Sequence, residues 1–92
     1  FRPQIPLVMM LAELDDWTAP GPCIQLAKNV GASYFVYPDS YHDFDNPVGT
    51  VRLRTDVPNG VNSGKGVHVG RNPITGPQAW DQLLLTLRKQ WE

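Results

Sequence analysis

Six apolar residues in a row, Leu7 to Ala12, break off into Glu13, Asp15 and Asp16. A continuous run of this kind does not suit a half-wet surface and predicts a strand buried on both faces, as parallel sheets require. Trp17-Thr18-Ala19-Pro20 then turns the chain and the period changes. Cys23, Leu26, Ala27 and Val30 fall at i, i+3, i+4 and i+7, one apolar stripe of a helix. Pro20 and Pro22 suit only its first turn, and Gly31 is its expected stop. Tyr34-Phe35-Val36-Tyr37 reads as a second strand, aromatic and β-branched, closed by Pro38. Strand, helix and strand in this order predict a βαβ unit with parallel strands and a right-handed crossover.

The pattern then dissolves. Phe1 to Pro6 is an extended lead-in, and Asn46 to Asn72 shows only a short alternation at Val51–Thr55 amid Gly, Asn and Pro. That stretch is expected to be a long ordered loop or lid with at most one short strand, and such loops are often functional. The chain closes on a helix. Thr75 with Gln78 resembles a capping box, Pro77 sits in the first turn, and Trp80, Leu83, Leu84, Leu87 and Trp91 form an apolar stripe. Residues 1–92 are thus expected as one α/β segment with a long loop at 46–74.

Composition narrows the classes. Ninety-two residues, 41% apolar and 18% charged, describe one small globular unit rather than a disordered chain. A net charge of -1 from eight basic and nine acidic residues offers no nucleic-acid or basic membrane surface. Cys23 is the only cysteine, which excludes an internal disulfide and fits a cytoplasmic setting. No apolar run approaches the roughly 20 residues of a membrane span. No signal-peptide pattern is visible, and with Phe1 as the first residue its absence decides nothing.

The chemistry gathers at one rim. Open α/β sheets hold their functional groups at the carboxyl ends of strands, where Asp15 or Asp16 could meet His42 from the next strand. A carboxylate on one imidazole nitrogen fixes the tautomer and leaves the other nitrogen as a general base. The order acid, then histidine, is that of the last two members of an α/β-hydrolase triad. The competing reading is that the two aspartates cap the following helix.

PLVMMLAELDDWTAPGPC followed by YFVYPDSYHDFD resembles the C-terminal half of the dienelactone hydrolase family of α/β hydrolases. There a strand ends in a G-x-x-D-like corner followed by an aromatic and a proline, and the next strand ends in a segment like Y-P-x-x-x-H-x-F. VRLRTDVPNGVNSGKGVHVGRNP and the last helix are similar to the same ending. The resemblance implies a partial α/β-hydrolase fold, with Asp15 as catalytic acid, Asp16 ranked second, and His42 as base. It implies hydrolysis of esters or lactones by a Cys or Ser on a G-x-C-x-G or G-x-S-x-G elbow. That elbow would lie well upstream, and only 14 residues precede Asp15. The nucleophile is absent, so the expectation is a segment inactive alone. Its alternatives are the C-terminal half of a split hydrolase and a non-catalytic oligomerisation or binding module.

Other residues invite sharper readings than they support. Gly21-Pro22-Cys23-Ile24-Gln25 falls short of G-x-C-x-G and follows the acid, so Cys23 is expected as a buried structural cysteine. Gly60-Val-Asn-Ser-Gly64-Lys65-Gly66 has the wrong spacing for a phosphate loop. His42, Asp43, Asp45 and His68 lack metal-ligand spacing, so neither metal nor cofactor is expected. His68 is expected to be an ordinary loop histidine, and Trp80 and Trp91 to pack in the helix. Two strands leave an open sheet edge and uncovered helix faces, so a homodimer or larger homo-oligomer, or a missing N-terminal hydrolase portion, is expected to complete the fold.

Overall fold

A computed structural model of the chain describes residues 4–91, with the Trp91 side chain outside the described set. The Phe1–Pro3 part of the lead-in also lies outside the described residues. The apolar run forms strand β1, Val8–Ala12. Helix α1, Pro20–Val30, follows, and strand β2, Ser33–Tyr37, returns parallel to β1 with Met10 opposite Phe35 and Ala12 opposite Tyr37. The βαβ unit is present as its periodicities predict. Pro20 opens α1 and Gly31 ends it at φ 70°, its N–H donating to the Ala27 carbonyl. A left-handed conformation there suits a residue without Cβ.

Burial departs from the pattern at both elements. β1 is half-buried, with only Ala12 fully covered, because among the described residues it pairs with β2 alone and its other edge is free. In α1 the covered face runs through Cys23, Ile24, Ala27 and Val30, while Leu26 turns outward. The helix is rotated so that Ala27 is wholly buried. A small residue lets the helix axis settle near the sheet.

The stretch expected as a loop carries two strands. β3, Arg52–Arg54, pairs antiparallel with β4, Val67–Val69, Leu53 lying opposite His68. Val67 and Val69 join Val57 in a small core packed against Trp17. β4 also forms an isolated parallel bridge, Val69 to His42, and the Gly70 N–H donates to the His42 carbonyl at 2.9 Å. The ribbon is therefore tied to the segment after β2.

Helix α2, Thr75–Trp91, closes the chain. The capping box does not form: the Asn72 side-chain oxygen accepts from the N–H groups of Ile74 and Thr75 instead, at 2.9 and 3.0 Å. The Thr75 hydroxyl is committed elsewhere. Ser40 donates its single hydroxyl proton to the Pro38 carbonyl, so Thr75 donates to Ser40, and both residues are buried. This anchor sets the rotation of α2. Ala79 enters the main core with Ala12, Tyr37 and Phe44, and Gln82, Leu83 and Thr86 continue the same half-buried face. The expected apolar stripe mostly faces out instead, with Trp80 48%, Leu84 51% and Leu87 40% exposed. No helix among the described residues is long and apolar enough to cross a membrane.

Candidate functional site

The carboxyl end of β1 is drawn over the end of β2 by backbone bonds. Glu13 N–H donates to Tyr37 O and Leu14 N–H to Ser40 O, at 3.0 and 2.9 Å. Glu13 supports this corner, its side chain accepting from the Asp39 N–H. Asp39 and Asp43 adopt φ 54° and 66°, a conformation that a short polar side chain tolerates, and so bracket the turn that presents His42.

Asp15 and His42 meet there. Asp15 Oδ1 accepts from the N–H groups of Trp17 and Thr18 at 2.9 and 2.8 Å, while Oδ2 lies 3.1 Å from His42 Nδ1. An ionised carboxylate only accepts, so Nδ1 carries the proton and Nε2 of the neutral ring carries a lone pair. The aspartate side chain is 13% exposed and the histidine 38%. The Trp17 ring lies against the imidazole in a tilted pair, 4.7 Å between centroids, and the Arg54 guanidinium lies 5.6 Å over the Trp17 ring. Asp15 closes an Asx-type turn before α1; the cap position itself is Ala19, which makes no side-chain cap bond.

Asp15 and His42 border a cavity of about 400 Å³, together with Met10 and Leu11 of β1, Thr18, and Cys23 of α1. Cys23 is half-buried in this wall rather than sealed in a core. The cavity therefore has a polar end at the pair and an apolar flank along β1.

His68 is no solitary loop histidine. It lies in β4, and its Nδ1–H and backbone N–H donate to the two carboxylate oxygens of Asp16, at 2.6 and 2.8 Å. Tyr41 stacks on its ring with centroids 4.9 Å apart. Asp16 also accepts through its carbonyl from Val61 N–H at 2.7 Å. Consecutive aspartates thus serve different histidines. The sequence offered only Val67-His68-Val69, three alternating residues between glycines, which is too short a run to establish a strand period.

Burial acts to raise the Asp16 carboxyl, but the hydrogen bonds and charge of His68 outweigh it and hold it below the ordinary carboxylate range. A folded value below the unfolded one gives stability that is complete above about pH 4 and is lost as pH falls through the lower folded value. Between pH 5 and 2.5, the urea midpoint of the wild-type chain is expected to fall more steeply than that of Asp16→Asn. Parallel pH profiles would show that the carboxylate carries none of the acid sensitivity.

Among the described residues, no three or more His, Cys, Asp or Glu side chains are grouped to hold a metal ion. The glycine-rich stretch packs on the acidic corner instead of opening over a phosphate: a Cβ on Gly60 would lie 2.9 Å from the Asp16 carbonyl. The fold and site together define a small mixed α/β unit with two carboxylate–imidazole pairs at the end of a parallel strand pair. Comparison with protein-family models, curated proteins and solved structures gave no match.

Proposed function

We propose that the chain supplies the acid and the base of an ester- or lactone-hydrolysing site of the dienelactone hydrolase type. Its nucleophile would come from residues outside these 92. The observation that supports this reading is the Asp15–His42 pair, bonded through Nδ1 beside a cavity flanked by the free edge of β1. In such a site His42 Nε2 takes the proton of an attacking Ser or Cys and returns it to the leaving alcohol, and Asp15 stabilises the imidazolium between these steps. A strand added beside Met10 and Leu11 could carry the nucleophile into the cavity, from the same polypeptide or from the other half of a split enzyme. A cytoplasmic setting belongs to the same reading.

The test is hydrolysis of a p-nitrophenyl ester. The isolated chain is expected to show no turnover above buffer, and turnover is expected when an upstream hydrolase segment bearing a G-x-S-x-G or G-x-C-x-G elbow is joined to it. Turnover by the isolated chain that both Cys23→Ala and His42→Ala abolish would overturn the assignment of an external nucleophile.

A second reading, an oligomerisation module, is favoured by the outward apolar face of α2. Trp80, Leu84 and Leu87 lie uncovered along one face of that helix. Solvent exposure of such a row favours association. Sedimentation at micromolar concentration should then give a dimer or larger species, and Leu84→Glu should shift it to monomer. A well-folded wild-type monomer would sink this reading.

A further inference from the structure

The acid–base role proposed above employs Asp15 and His42 and leaves the second pair without a task. Asp16 and His68 are nonetheless built with care. The Asp16 side chain is 18% exposed and spends both oxygens on one residue, at 2.6 and 2.8 Å, across 52 positions of sequence. A group bonded twice in this way fixes both the ring and the strand that carries it.

That strand is also the support of His42. His42 belongs to no regular strand or helix, and its backbone is held by the bridge to Val69 and by the bond from Gly70 N–H. Val69 and Gly70 are the two residues after His68. A path of direct bonds therefore runs from Asp16 to His68, through Val69 at the end of β4 to Gly70, and into the His42 backbone. Asp16 adjoins Asp15, so the path begins beside one member of the first pair and ends at the other. Displacing β4 by an ångström would carry His42 away from Asp15 Oδ2.

We infer that Asp16 and His68 are positioning residues that clasp β4 to the acidic corner and thereby hold the His42 imidazole in its Nδ1–H tautomer against Asp15. The inference deepens the proposed acid–base reading of the same site and rests on it. The clasp acts on ring orientation and tautomer, not on substrate.

Its test is the tautomer of His42, read from long-range nitrogen–proton correlation spectra of the intact 92-residue chain at about pH 8.5, where an ordinary imidazole is neutral. The wild-type ring should be almost wholly Nδ1–H. His68→Phe keeps a ring to stack on Tyr41 but removes the donor. It is expected to raise the Nε2–H fraction of His42 about fivefold, the population equivalent of one net hydrogen bond. His68→Asn, whose amide can donate to Asp16 from near the Nδ1 position, is expected to restore the wild-type tautomer. Should His68→Phe fail to fold, Asp16→Ser, which keeps a short acceptor for the His68 amide, is read in the same way. Asp15→Asn separates the two ideas. If it changes the His42 tautomer while both clasp variants leave it untouched, the clasp is overturned and the pair stands. If Asp15→Asn itself changes nothing, the underlying pair is overturned.

Discussion

Gly70→Ala is expected to remove most of the chain's folding stability at 25 °C. Gly70 has φ 145°, and a Cβ there would lie 2.3 Å from the Thr50 carbonyl oxygen and 2.5 Å from Val51 Cα. Both are backbone atoms of the approach to β3, so neither can rotate aside. The strained φ costs about 1–3 kcal/mol. Forcing an extra carbon into a filled space costs roughly another 1–3 kcal/mol. Their sum reaches a large share of the ~5 kcal/mol at the lower end of domain stability, where a chain of this size belongs. The same substitution also moves the N–H that holds the His42 carbonyl. Two other glycines calibrate the result. Gly49 has φ 97° but nothing within 4 Å, so its replacement by Ala should show the φ penalty alone. Gly21 lies in the first turn of α1 with open space around it, and Gly21→Ala should be neutral or stabilise by up to about 1 kcal/mol. Urea unfolding followed by circular dichroism measures all three. A Gly70→Ala chain as stable as Gly49→Ala would show that the Thr50 segment gives way freely.

The order of stabilities so expected follows features that local sequence does not announce. β1, α1 and β2 were legible because each is decided by near neighbours: an unbroken apolar run, a 3.6-residue stripe, an aromatic and β-branched run before Pro38. Pairing of Asp15 with His42 was legible for a related reason, since a βαβ unit brings two successive strand ends to one rim. The antiparallel ribbon was not. β3 and β4 have three residues each, too few for a period, and their pairing depends on Val67 and Val69 finding Val57 and Trp17. His68 was therefore misplaced together with its strand, and Asp16 lost its partner with it. The rotation of α2 was hidden differently. Its leucine stripe is the natural core face of an isolated amphipathic helix. The structure instead turns Ala79 inward, because Asn72, Ser40 and Thr75 fix the first turn and with it the rotation of the helix. A buried polar anchor outweighed the apolar pattern, and the uncovered leucines are the consequence.

In a reaction completed by an upstream nucleophile segment, Asp15→Asn is expected to lower kcat by about 10⁴-fold while leaving the fold unchanged. The asparagine side-chain oxygen can still accept from Trp17 and Thr18, which bond the aspartate through Oδ1 alone. Its amide nitrogen then replaces Oδ2 opposite His42 Nδ1. An NH₂ group in that place donates, so Nδ1 must accept and the ring proton moves to Nε2. A protonated Nε2 cannot take a proton from the nucleophile. His42→Ala removes the base outright and should cost a similar factor, with KM changed far less than kcat in both variants. The decisive measurement is the double variant. If Asp15 acts only through the ring, Asp15→Asn adds almost nothing once His42 is Ala, and the losses are strongly non-additive. Losses that multiply to about 10⁸ would mean that the carboxylate works on substrate independently of His42, and the pair would then not be an acid–base relay at all.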